Sequence, residues 1–188
     1  CGLMEAAETL RTAGFDVAVH ESGPLCPEVL GRADVLVLPH CSSDAWEATT
    51  EHGSPEYSAG EIGAIEAFVR AGGGLVILAE TEQPKYGNSF AAIAARFGIE
   101  IENATVQDPV HRFRDVSTWI VLEPNAAMPV GDRPVVDLFA RVHEACFYRA
   151  GTLAAGAGAD GPSVLARAHA TAAPASAAVL IAARAGAG

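Results

Sequence analysis

Apolar positions recur along the chain with two periods, and the switch between them predicts the elements. Leu3, Ala7 and Leu10 share one helical face and Gly14 supplies the stop, after which Phe15, Val17 and Val19 alternate with polar neighbours as in a half-buried strand. The run from Asp34 to Leu38, closed by Pro39, is continuously apolar and predicts a strand buried on both faces. Ser58-Ala59-Gly60-Glu61 has capping-box spacing and opens a helix whose Ile62, Ile65, Phe68 and Val69 share a face, up to Gly72-Gly73-Gly74. Leu75 to Ala79 predicts a second buried strand, and Asn88 or Ser89 caps a helix bearing Phe90, Ile93, Ala94 and Phe97. Gly98 closes that helix, and Ile99 and Ile101 begin another strand.

This alternation predicts an α/β fold: an open, mostly parallel, flavodoxin-like sheet with helices on both faces. Strands are also expected at 119–122 and 146–148, with a short helix or turn at 135–141. From residue 151 onward Ala and Gly dominate, and 163–168 and 177–183 read as an irregular, Ala/Gly-rich strand pair. Segments 42–57 and 80–87 are polar and read as loops. At 188 residues the chain reads as one domain, 1–188. Its opening helix lacks a preceding strand and its last turn a following element, so a piece of a larger polypeptide is expected.

Charge narrows the choice of partners. Twelve Lys and Arg against 23 Asp and Glu give a formal charge of -11, which disfavours nucleic acid and anionic lipid surfaces. Cys1, Cys26, Cys41 and Cys146 lack the short spacings of zinc sites or disulfide scaffolds, which favours a reducing, cytoplasmic setting. The most apolar late stretch, 175–183, is too short to span a bilayer, so no membrane insertion is expected.

In an open α/β sheet ligands bind beyond the carboxyl ends of the strands. This directs attention to His40, Cys41, Ser42 and Asp44 after the first buried strand, and to Glu80, Thr81 and Asn88 after the second. Cys41 beside His40 suggests a thiolate nucleophile, but neighbours in an extended segment point apart, so the base would come from elsewhere, such as His20, His52 or His111. His40, Cys41, Asp44 and His52 offer metal donors without a diagnostic spacing. Glu80 and Glu82 could form an acid/base pair or simply face water. The triple glycine joins a helix to a strand, the wrong order for a phosphate loop. No metal or cofactor is expected.

The run from Ala33 to Pro39, the helix opened by Ser58 to Glu61, and the stretch from Ala71 to Leu78 resemble the class I glutamine amidotransferase-like superfamily. Within it they are most similar to the non-catalytic branch found in gliding-motility and intraflagellar-transport proteins and in related bacterial domains of unknown function. The likeness spans roughly 1–101, with weaker support at 148–153 and 179–188. Active members carry their nucleophilic cysteine at the turn matching Ala79-Glu80-Thr81-Glu82, which has no thiol here. Their oxyanion loop, usually a Gly-Gly pair, is matched by Pro39-His40-Cys41. The resemblance therefore implies a catalytically silent module of a larger bacterial protein, holding a small-molecule ligand or a protein partner. The alternative is a cysteine- or metal-dependent hydrolase or amidase using the 40–52 loop, with Cys41 and His40 as its catalytic residues.

Overall fold

The computed structural model of the chain describes residues 3–39, 56–79, 89–122, 129–130, 133–134, 142–156 and 161–186. The first part is helix and parallel strand. Helix α1 (Leu3–Thr12) ends in a turn where Gly14, at φ 94°, lets its own amide reach Arg11 O and the Phe15 amide reach Leu10 O. A short α2 (Pro27–Leu30) leads into β1 (Val35–Pro39). Helix α3 (Ala59–Arg70) has the full capping box: Ser58 Oγ accepts from the Glu61 amide, and Glu61 takes the Ser58 amide in return. Its end, at Gly72 and Gly73, repeats the turn seen after α1. Strand β2 (Gly74–Leu78) then pairs with β1 in parallel, from Val35 opposite Gly74 to Pro39 opposite Leu78. Helix α4 (Phe90–Ala95) follows.

One face of this pair is covered. Leu38, Ile62, Ile65, Phe90 and Ile93 form a buried core with Leu25 and Leu30, and Leu36, Leu75 and Ile77 pack against it. On the other face Val35, Val37, Val76 and Leu78 stand exposed. The periodicity therefore locates both strands but overstates their burial, since neither is enclosed on two sides. Phe15 and Val19 are exposed as well, and residues 15–20 form no strand. Alternation alone does not make a strand without a neighbour to take its hydrogen bonds.

The expected open, mostly parallel, flavodoxin-like sheet is overturned by the rest of the chain. Strands β3 (Ile99–Thr105), β8 (Gly151–Ala155), β9 (Ser163–Arg167) and β10 (Ala178–Ala182) form an antiparallel sheet in the order β3-β8-β10-β9. Strand β4 (Trp119–Leu122) pairs antiparallel with β7 (Ala145–Tyr148), and β5 (Pro129–Val130) with β6 (Arg133–Pro134). The physical reason is the connections. A parallel crossover needs a dozen or more residues and usually a helix, whereas the described segments joining the later strands contain none. A second core forms here from Val106, Ile120, Leu122, Ala166, Ala168, Ala172 and Val179. The turn or helix expected at 135–141 lies outside the described residues.

Candidate functional site

The structure does not describe the ligand-site side chains singled out from the sequence. His40, Cys41, Ser42, Asp44, His52, Glu80, Thr81, Glu82 and Asn88 all lie outside the described residues. It does fix where their two loops begin and end. The strand ends before them lie side by side, because Pro39 and Leu78 are register partners. The residues after them are joined as well: Ser89 Oγ accepts a hydrogen bond from the Tyr57 amide at 2.9 Å, and the Tyr57 ring stacks on Phe90 with centroids 6.2 Å apart. Ser89 thus occupies the N-cap position of α4 without capping it, its hydroxyl being used between the loops instead.

Around Asp108 lies a cluster that the sequence does not assemble, although His111 is one of the bases considered there for Cys41. Asp108 is only 1% exposed, yet it is fully engaged. Oδ1 accepts the Val110 and His111 amides at 2.8 and 3.0 Å, and Thr171 Oγ1 lies 3.1 and 2.9 Å from the two carboxylate oxygens. His111 Nδ1 sits 3.3 Å from Oδ2 and 3.1 Å from the Thr171 hydroxyl. The arrangement in which no two acceptors face each other has Thr171 donating to the carboxylate and His111 Nδ1 carrying the proton. Burial raises the Asp108 carboxyl, but the two amides, the hydroxyl and the imidazole together outweigh it and hold the group below its ordinary value. The signal available in the sequence is Asp108-Pro109, a turn-starting pair whose aspartate commonly bonds the amides two and three residues on.

His111 also stacks on His169, ring centroids 3.8 Å apart and planes 21° from parallel. Nitrogen lone pairs lie in the ring plane, so two rings stacked this way cannot converge on one ion. Among the described residues no group of three or more His, Cys, Asp or Glu could hold a metal. The cluster works as a latch, fastening the 108–111 turn to the 169–176 loop, where Gln107 and Ala173 exchange backbone hydrogen bonds.

The same segment builds a small sheet face. Phe113 donates its amide to Trp119 O, Val121 donates to His111 O, and Arg112 bridges to Ile120, so residues 111–113 flank β4 as β7 does on its other side. The alternation of a strand then places His111 and Phe113, Trp119 and Val121, and Cys146 and Tyr148 on one face. Trp119 connects the aromatic row, 6.2 Å from Phe113 and 5.4 Å from Tyr148, and the Arg114 guanidinium lies 5.1 Å from the Phe113 centroid. Arg112 bonds Asp115 at 3.1 Å. Cys26 and Cys146 are free thiols.

The architecture resembles that of a solved structure. It is similar to the solved mmIFT52 N-terminal domain, with a TM-score of 0.69 at 10% sequence identity, covering 94% of this chain and 75% of that one. Likeness at so low an identity is a likeness of fold. No family model matches the chain, and no curated protein matches it. The comparison thus reaches the intraflagellar-transport side of the resemblance and gives no support to the wider amidotransferase-like superfamily. Among the described residues no helix is long and apolar enough to cross a membrane.

Proposed function

We propose that the chain is a non-catalytic interaction module of a larger bacterial protein, binding a protein partner or small ligand through the two loops beyond β1 and β2. The observation that carries this reading is the domain-wide likeness to the mmIFT52 N-terminal domain. Two features agree with it. The sequence after β2 continues Ala79-Glu80-Thr81, with no sulfur where a covalent amide transfer needs its attacking atom. The segments bearing His40, Cys41, Ser42 and Asp44, and Glu80, Thr81 and Asn88, are flanked by described residues that are paired, Pro39 with Leu78 before them and Tyr57 with Ser89 after them. Segments flanked in this way suit recognition of one partner.

The test has two arms. Purified protein incubated with glutamine and other amide donors should release no ammonia above a heat-treated control. Partners captured reproducibly by the wild-type chain should be lost from a variant carrying His40→Ala, Asp44→Ala, Glu80→Ala and Asn88→Ala. Ammonia release abolished by Cys41→Ser would replace this reading with the amidase. Unchanged capture by the fourfold variant would remove these loops from the binding surface.

A further inference from the structure

We infer that the stacked rings of His111 and His169 make the latch between the 108–111 turn and the 169–176 loop sensitive to pH, so that it opens when both rings are charged. The geometry supplies the sensor. One ring belongs to each of the two joined segments, and their centroids stand 3.8 Å apart with the planes 21° from parallel. Imidazoles take up a proton in the range of about pH 5 to 8. Once both rings have done so, two positive charges lie face to face across the joint and repel. Either ring in its neutral form removes that repulsion.

The hydrogen bonds of the latch keep their form over this range. His111 Nδ1 already carries a proton toward Asp108 Oδ2 and Thr171 Oγ1, so the added proton goes to Nε2. Asp108, held below its ordinary carboxyl value, stays ionised and retains the Val110 and His111 amides. Surrounding charge does not cancel the repulsion. Asp108 lies against His111, while among the described residues no hydrogen bond or ion pair reaches the His169 ring. The loop has no other charged residue, and Arg167 just before it donates to Ser176 O at 3.1 Å. Beyond the turn Arg112 bonds Asp115, and Arg114 lies over Phe113. Strands β4 and β10 carry no charged residue, and β7, across β4, presents Cys146 and Tyr148, with His143 and Glu144 before it and Arg149 after it.

The fold confines the opening to the joint. The loop connects β9 to β10, and its base is closed separately, where the Ala168 amide donates to Ala177 O at 2.8 Å and Arg167 pairs with Ala178. On the turn side the Val106 amide donates to Ala150 O at 2.8 Å. Turn and loop therefore part without unpairing a strand, as a local event. What is lost is the exchange between Gln107 and Ala173, whose amides donate to each other's carbonyls at 3.0 and 2.8 Å, together with the Thr171 contact to Asp108. Ala172, buried in the second core, moves out with the loop.

The experiment is amide hydrogen exchange of the full chain, read by NMR at about pH 7.5 and about pH 5 and corrected for the intrinsic effect of pH on exchange. Protection of the Gln107 and Ala173 amides should fall at least about tenfold at the lower pH, while that of Val106 and Ala168 changes by less than about threefold. His169→Phe keeps a ring against His111 but cannot charge it, so the fall at Gln107 and Ala173 should disappear. Should that variant lose the wild-type circular dichroism, His169→Gln takes its place with the same expected readings. Equal protection of Gln107 and Ala173 at both pH values in wild type overturns the inference. So does a fall of the same size in the His169 variant, which would assign the change to another titrating group. A fall shared equally by Val106 and Ala168 overturns it as well, since the opening would then not be confined to the joint.

Discussion

Ser89 Oγ takes the Tyr57 amide at 2.9 Å and lies 3.4 Å from the Tyr57 carbonyl, joining the ends of two loops that start from paired positions on β1 and β2. Ser89→Ala removes the hydroxyl from that contact. The expected cost is about 1 kcal/mol in urea unfolding, together with weaker capture of any partner bound by the loops. Ser89→Thr keeps the oxygen and should restore both. Equal stability of the alanine variant and wild type would show that the two loops are not joined here.

Asp108 serves the second half of the fold in the same manner, with more at stake. Asp108→Ala removes the shared acceptor of the Val110 and His111 amides and the Thr171 hydroxyl, all partly buried around it. A loss of about 3 kcal/mol in chemical denaturation is expected, against about 1 kcal/mol for Thr171→Val, which removes one donor and keeps the carboxylate bonded to both amides. A cost for Asp108→Ala no larger than that of Thr171→Val would refute the latch.

The sign of the pH dependence follows from the same bonds. Asp108 and Glu61 are both held below their ordinary values. For Asp108 burial pushes upward and is outweighed by the hydrogen bonds, and for Glu61 the leading causes are the Ser58 and Leu25 amides. The unfolded chain therefore binds these protons more readily, and their stabilisation is complete above the ordinary carboxylate values near ~4. It is lost as pH falls through those values toward the depressed native ones. The stability gap between wild type and Asp108→Asn should be constant above about pH 5 and narrow below about pH 4. An equally wide gap at pH 3 and pH 7 would contradict the depressed native value.

Local signals are legible in the sequence and long-range pairing is not. Ser58 with Glu61, Gly14 and Gly72 act within a few residues, so their chemistry is written in consecutive letters, and the structure places each cap and stop where the pattern puts it. The direction of strand pairing depends on what joins the strands. The helical alternation up to Gly98 does not continue into the later described connections, which carry no helix, and among the described residues parallel pairing stops at two strands. Asp108 escapes a local reading because its meaning depends on Thr171, 63 residues away, which no local pattern connects to it. His40, Asp44, Glu80 and Asn88 stand out in the sequence by their place after strands and lie outside the described residues.

Two glycines should respond to alanine with opposite signs. Gly63 lies inside α3 with nothing within 4 Å of the place an added methyl group would take, so Gly63→Ala should stabilise by about 0.5 to 1 kcal/mol through lower unfolded-state entropy. Gly186 has φ +62°, and its added Cβ would stand 2.4 Å from Arg70 O, a backbone atom that cannot swing aside. Gly186→Ala should cost about 2 kcal/mol. Thermal melts of both variants decide the matter, and stabilisation by Gly186→Ala would mean that the 183–186 segment does not lie against the end of α3.

Val37 and Leu38 are sequence neighbours facing opposite sides of the same two-stranded sheet. Leu38 is in the first core and Val37 is exposed, although the apolar run makes them look alike. Leu38→Ala should cost about 2 to 5 kcal/mol, because neighbouring Ile65 and Phe90 cannot collapse fully into the space left. Val37→Thr should change stability by less than about 0.5 kcal/mol in the same denaturant series. If Val37→Thr cost as much as Leu38→Ala, the outer face would be covered in solution. The cover would then be a partner lying across Val35, Val37, Val76 and Leu78, and adding Val76→Lys should abolish the excess cost by displacing it.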